Sequence, residues 1–303
     1  MSPLPINIGP QALPITLSVI AHFLLGASSL YWKELGEVTP TTLVAYRIIL
    51  SAFTLCLFIL LFRRPHQQRL LKPRIALRHL CASFFIAANW AAFIWSSING
   101  YILESALGYL LAPFISITLG VAIYHDTINA KKTASILTVL CCIAALILLT
   151  QNLNHWIYIV IAATWGLYTY IKKSTPLNAE QGLLLETVFL SLCLPPAVLL
   201  FDLKILYPHE LPTQSINLIW LAGAVSTAPL LMFSYAAGKI PLSLTGLLQF
   251  TLPCTLITIS FAAYEQKVPP VSLALIITTA TILATLIIYD TVASRRPKQG
   301  HHT

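Results

Sequence analysis

Residues 103–124 read LESALGYLLAPFISITLGVAIY, an apolar run broken only by Glu104 at its start and Pro113 near its middle. A helix rises 1.5 Å per residue, so a run of about 20 apolar residues crosses the roughly 30 Å hydrocarbon core of a bilayer. A surface helix of a soluble protein would need a polar face, and this one has none. The rest of the chain has the same character. Its 303 residues are 57% hydrophobic and 9% charged, with a mean hydropathy of +0.80. A soluble surface carries about 25% charged residues, so these apolar residues face lipid. That composition excludes a soluble enzyme, a nucleic-acid-binding domain and a disordered chain.

Ten segments have the required length and apolarity, near 13–32, 43–62, 76–98, 103–124, 133–150, 155–171, 182–201, 216–236, 243–263 and 271–290. The connections hold the turn residues: Pro40, Pro65, Pro73, Asn129, Asn152, Asn154, Pro176, Pro208, Pro212, Pro269 and Pro270. None is long enough for a soluble domain. The expectation is an all-α membrane bundle with a short tail over 291–303. Cys56, Cys81, Cys141, Cys142, Cys193 and Cys254 lie in apolar runs, where thiols act as small hydrophobes. No cysteine has metal-ligand spacing, so no metal or other cofactor is expected. Residues 1–12 hold no Lys or Arg, and no signal peptide is expected.

The basic residues orient the bundle, because cytoplasmic loops are enriched in Lys and Arg. Of the 18 basic residues, 14 fall on one side: Arg63, Arg64, Arg69, Lys72, Arg74, Arg78, Lys131, Lys132, Lys172, Lys173, Lys239, Arg295, Arg296 and Lys298. Lys33, Lys204, Lys267 and Arg47, the last just inside span two, make up the other side. Both termini are therefore expected in the cytoplasm. The net charge of +8 reports topology rather than an anionic macromolecular partner.

The two halves resemble each other at an offset of 139 positions. Tyr31 meets Tyr170, Lys33 meets Lys172, Arg47 meets Glu186 and Phe62 meets Phe201, with Pro113 and Pro253 matching within one residue. Five spans per half place the second half upside down, an arrangement common in secondary transporters. The repeats would cover 13–150 and 155–290. Pro113 and Pro253 are expected to break spans four and nine at the interface between them.

Ionisable groups under lipid are costly and face a partner or a cavity. Arg47 and Glu104, with Lys33, are expected to form a charged cluster at the outer mouth. Glu186, one turn into span seven, has two readings: proton uptake, or an ion pair with Lys172 or Lys173. His22 reads as a packing residue, with a proton relay as the alternative. Asn89, Trp90, Trp95, Trp165, Tyr168 and Gln249 complete a candidate cavity lining. Ala112-Ser116-Gly120, Ala224-Ala228 and Ala280-Ala284 are small-residue rows suited to helix packing.

The segment Asn89-Trp90 to Ile94-Trp95, then Leu103-Glu104-Ser105-Ala106-Leu107-Gly108-Tyr109 and Pro113, resembles the RarD-type permeases of the drug/metabolite transporter superfamily, the EamA fold. Leu30-Tyr31-Trp32-Lys33, Tyr46-Arg47, Gly166-Leu167-Tyr168, Leu185-Glu186-Thr187, Pro241-Leu242-Ser243 and Gly246-Leu247-Leu248-Gln249 extend the resemblance from about 15 to 290. The chain departs from the family pattern at Leu25, Tyr46 and Ala112. The resemblance implies ten helices in two inverted EamA repeats in a bacterial inner membrane, with both termini cytoplasmic. It also implies alternating access without a nucleotide-binding domain.

The expected function is secondary transport of a small polar or amphipathic metabolite, amino-acid-like or nucleoside-like. The aromatic residues, Tyr109 among them, would enclose it, and Asn89 and Gln249 would hydrogen-bond it. A proton or other ion would couple the cycle, and the protein would act as a monomer or homodimer. No Walker sequence is present for ATP hydrolysis. An intramembrane enzyme is the alternative, but it would need convergent nucleophiles or metal ligands. Neither H-E-x-x-H nor G-x-S-x-G occurs, and Asp126, Asp202 and Asp290 lie at span ends.

Overall fold

A computed structural model describes residues 12–62, 72–126, 130–149 and 153–264, with scattered helical positions between 271 and 285. Span ten, the tail and the basic residues Arg63, Arg64 and Arg69 lie wholly or largely outside the described residues. All regular structure among the described residues is helical: α1 Ala12–Glu34, α2 Pro40–Phe62, α3 Pro73–Ile98, α4 Ile102–Tyr124, α5 Ala130–Leu149, α6 His155–Ser174, α7 Ala179–Phe201, α8 Thr213–Ile219, α9 Ala222–Ala237, α10 Leu242–Leu248 and α11 Thr251–Ala262. A single 3-10 turn, Pro208–Glu210, precedes α8.

Seven stretches among the described residues are long and apolar enough to cross a membrane: α1, α2, α3, α4, α7, Ser215–Ala237 and Leu244–Ala262. The described apolar part of α5, Thr133–Leu149, is shorter. α6 is less apolar, with His155, Tyr158, Tyr168, Tyr170 and two terminal lysines. Large apolar side chains stand exposed around the exterior, among them Phe53, Leu60, Leu61, Leu148, Leu199, Leu200 and Phe201. A water-soluble exterior does not carry apolar surface on this scale.

Span eight breaks between α8 and α9, where the sequence reads as continuous, and span nine breaks beside Pro253, as expected. Pro253 has no N–H to offer the Gln249 carbonyl, and the Leu252 N–H takes that carbonyl at 3.1 Å, so α10 stops and α11 restarts just before the proline. Pro113, in contrast, does not break α4, contrary to expectation. α4 packs along α6 on one side and α10 and α11 on another, and those neighbours hold it continuous.

The turn between α3 and α4 explains how Glu104 enters the bundle. Asn99 caps α3, Gly100 follows with φ +81°, and the Tyr101 N–H returns to the Ser96 carbonyl at 2.9 Å. This is the Schellman pattern, which needs a residue able to adopt positive φ. It starts α4 at once, placing Glu104 in the first helical turn.

Helix packing rests on close backbone approach, as expected where lipid supplies no hydrophobic drive between helices. A Cβ at Gly166 would stand 2.7 Å from the Ile115 Cβ and 3.2 Å from the Ala112 carbonyl oxygen. A Cβ at Gly26 would stand 2.8 Å from the Thr255 Cβ and 3.1 Å from the Leu252 carbonyl oxygen. The row Ala112, Ser116 and Gly120 is buried, in line with its reading as a packing surface. Many hydroxyls satisfy themselves on their own helix. Thr169 donates to the Trp165 carbonyl at 2.9 Å, and Thr227 to the Gly223 carbonyl at 2.8 Å.

Gly166→Ala and Gly26→Ala should each lower stability by about 1–3 kcal/mol, the usual cost of overpacking. Gly238→Ala should leave it unchanged, because the nearest atoms there lie at 3.7 Å. Thermal melting of the detergent-solubilised protein reads the difference.

Candidate functional site

Buried charges gather toward opposite ends of the bundle: Arg47 and Glu104 at one, and Glu186 with Lys172 at the other. One end gathers the α1–α2 and α3–α4 turns, Asn154 and Ala263. The other gathers the starts of α3 and α7 with the end of α6.

At the second end, Glu186 enters from α7 and is fully buried. Its Oε1 accepts from Lys172 Nζ at 3.0 Å and from His79 Nδ1 at 2.8 Å, and its Oε2 accepts from the Tyr168 hydroxyl at 3.0 Å. The far ring nitrogen of His79 bonds the Thr175 hydroxyl at 2.7 Å. The ion-pair reading of Glu186 is therefore what the geometry shows. A Cβ at Gly182 would lie 2.8 Å from His79 Cε1, so the start of α7 has room for the imidazole only because that residue is glycine. Sequence reading missed His79. It sits among basic residues near a helix start, and nothing local marks it as the partner of an acid 107 positions away.

At the first end, Arg47 of α2 is 2% exposed. Its guanidinium lies 4.2 Å from the Trp90 ring centroid and 5.1 Å from that of Trp32. Such contacts stabilise a cation but accept no directed hydrogen bond from its N–H groups. Arg47 Nε and Nη1, Trp32 Nε1 and Ser51 Oγ, one helical turn from Arg47, are all buried without a hydrogen-bond partner. The expected cluster of Lys33, Arg47 and Glu104 does not form. Glu104 turns to the start of α6, where it accepts the Asn154 N–H at 3.4 Å. Lys33 donates to the Ala263 carbonyl at 2.5 Å and lies over the Tyr264 ring. Each is drawn to the nearer opposite pole, a helix start for the acid and a helix end for the lysine. Tyr264 lies beyond α11, and burial pushes its phenol up to about 12.

Between the charges lies an aromatic cluster centred on Trp165. Its ring meets His22 at 6.2 Å, Tyr109 at 5.8 Å, Tyr168 at 5.8 Å and Phe233 at 5.2 Å. Asn89 joins the halves here. It accepts the Tyr109 hydroxyl at 2.8 Å and donates to Thr164 Oγ1 at 3.2 Å. Gln249 donates to Thr169 Oγ1 at 2.9 Å, while its Oε1 is buried and unpaired. His22 is a packing residue with a directed proton. Its Nδ1 donates to the Ser18 carbonyl at 2.6 Å, so Nε2 is the free position, buried and unpaired beside Trp165 and Phe233. Trp95 stands elsewhere, stacked on Tyr101 at 5.2 Å and tilted against Trp156 at 5.1 Å. Among the described residues no group of three or more His, Cys, Asp or Glu could hold a metal ion.

No protein-family model matches the chain. The chain is similar to the uncharacterized transporter YojE of Bacillus subtilis, with 27% identity over 95% of this chain and 97% of the relative. It is similar to protein RarD of Salmonella typhimurium, with 26% identity over 94% of this chain and 97% of that one. For protein RarD of Escherichia coli the identity is 26% over 84% and 86%. A protein of known crystal structure shares the fold with TM-score 0.64 at 14% identity, covering 90% of this chain and 98% of its own. The chain thus resembles RarD-type permeases over most of its length.

Lys172→Met should leave Glu186 as an incompletely compensated buried charge and destabilise the protein by about 3–5 kcal/mol. Lys172→Met combined with Glu186→Gln should recover part of that loss. A double-mutant cycle on melting temperature checks it, and additive effects would mean the two groups do not interact.

Proposed function

We propose that this chain is a RarD-type secondary transporter that moves a small polar or amphipathic metabolite across a bacterial inner membrane by alternating access. Its ten spans form two inverted five-helix repeats, 13–150 and 155–290, and 291–303 is a cytoplasmic tail. The 14 to 4 split of basic residues supports cytoplasmic termini.

One observation carries this reading: among the described helices other than α5, the main helix contacts recur when the halves are exchanged. α3 packs on α6, and their counterparts, α9 and α1, pack likewise. The pairing of α4 with α6 is matched by that of α11 with α1, and α3 with α7 by α9 with α2. α2 with α7, and α4 with α10 and α11, map onto themselves. The close approaches repeat too: Gly26 meets Leu252 and Thr255, and Gly166 meets Ala112 and Ile115, each shifted by 140 positions. Helix pairs related in this way can rock about a shared interface, which is how inverted repeats expose a midplane site to each side in turn.

The contacts between halves support the same cycle. At one end Tyr31, Thr41 and Tyr46 donate to the carbonyls of Leu218, Lys204 and Leu206. At the other end Arg78 donates to the Ser174 carbonyl, and His79 bonds Thr175 and Glu186. These hydrogen bonds gather at the two ends of the bundle, where an alternating opening would break and remake them. The Trp165 cluster, Asn89 and Gln249 would hold the substrate, and the Glu186–His79–Lys172 group would exchange a coupling proton.

Proteoliposomes containing the protein should show counterflow of a labelled bacterial metabolite extract above protein-free vesicles. Trp165→Ala removes the ring at the centre of the proposed lining, and in protein that still folds it should slow exchange. Absence of counterflow for every metabolite in the extract would overturn the reading.

A further inference from the structure

We infer that Arg47 is the anchor of an anion site, and that the substrate is a small organic carboxylate with an apolar body and no positive charge of its own. This rests on the transporter reading and names the chemistry of its substrate.

Glu186 and Arg47 occupy matching places in the two halves, and both are buried. Glu186 is satisfied by three side chains and has no need of a ligand. At the 139 offset its lysine partner matches Lys33, which turns away to the Ala263 carbonyl; at the 140 offset of the glycine contacts it matches Trp32, which lies under the Arg47 guanidinium. A tryptophan face takes the place of an ion pair there, and two nitrogens of Arg47, Nε and Nη1, are left unpartnered. An unpaired charge under lipid is among the costliest groups a fold can hold. A guanidinium is also the side chain best shaped for a carboxylate, through two parallel hydrogen bonds.

The surroundings narrow the class. Trp32 Nε1 and Ser51 Oγ add neutral hydrogen-bonding groups, and the Trp90 and Trp32 faces supply apolar walls. Such walls suit an organic body and repel a strongly hydrated inorganic anion. Of the described acids, only Glu104 and Glu186 are buried; Glu104 holds the Asn154 N–H and Glu186 holds Lys172 and His79. Neither is free to receive an ammonium group, so the site selects against a zwitterion. The geometry points away from an amino-acid-like solute and toward a monoanion.

The full-length protein in nanodiscs tests this with acetate, benzoate and 3-phenylpropionate, their amides, phenylalanine and inorganic phosphate. Melting temperature and tryptophan fluorescence are the readouts. Benzoate or 3-phenylpropionate should give a saturable shift, with the matching amide and phenylalanine at least about tenfold weaker, as expected for loss of a charge-assisted bond. Arg47→Gln should abolish the preference for acid over amide, and Arg47→Lys should keep only part of it. Equal binding of acid and amide, a response to phosphate alone, tight binding of phenylalanine, or no response to any carboxylate would each overturn the inference. If Arg47→Gln fails to fold, the acid–amide comparison on the unaltered protein still decides. Carboxylate binding without counterflow would sink the transport reading and leave the anion site standing. Counterflow confined to neutral or cationic solutes would do the reverse.

Discussion

A charge buried among helices in lipid must be answered from within the fold, and that requirement organises this molecule. Water is absent, so each carboxylate, ammonium or guanidinium needs a partner on a neighbouring helix. Glu186 meets the requirement by drawing α3, α6 and α7 together through His79, Lys172 and Tyr168. Arg47 meets it only with the faces of Trp32 and Trp90. The first arrangement closes one end of the bundle, and the second leaves a cation with donors to spare.

The aromatic cluster between these poles gives the interior its shape. Trp165, Tyr109, Tyr168 and Phe233 are rigid and buried, and the polar atoms among them belong to groups with one satisfied side and one open side. His22 spends its Nδ1 proton on Ser18 and keeps Nε2 open. Gln249 spends its amide nitrogen on Thr169 and keeps its oxygen open. Fixed orientation with residual hydrogen-bonding capacity is what a binding cavity needs.

Much of this was legible in the sequence, because the bilayer imposes simple rules. Apolar length marked the seven spans found among the described residues, and the sparse charges marked Arg47 and Glu186, both of which are buried. Trp165, Tyr168, Tyr109 and Asn89 are brought together as expected. What could not be read was long-range pairing. Glu104 and Arg47 share an end of the bundle by sequence, yet the tight turn at Gly100 carries Glu104 to the start of α6 and away from the arginine. His79 had no local signal, since its partners Glu186 and Thr175 come from the other half. The offset between halves drifts from 139 for Arg47 and Glu186 to 140 for the glycine contacts, so Lys172 matches Lys33 by one offset and Trp32 by the other. The break between α8 and α9 depends on carbonyl partners, which periodicity does not reveal, whereas Pro253 marked the break in span nine.

The central claim is that the Glu186 cluster clamps one end of a two-ended device. Spin labels placed pairwise at Thr41 and Lys204, and at Leu77 and Pro176, would report the two ends in a background with the six cysteines replaced. Pulsed-resonance distances before and after Glu186→Gln give the direct test. The account predicts that the Leu77–Pro176 distance lengthens while the Thr41–Lys204 distance stays short and narrows in distribution. Lengthening at both ends, or at neither, would contradict it.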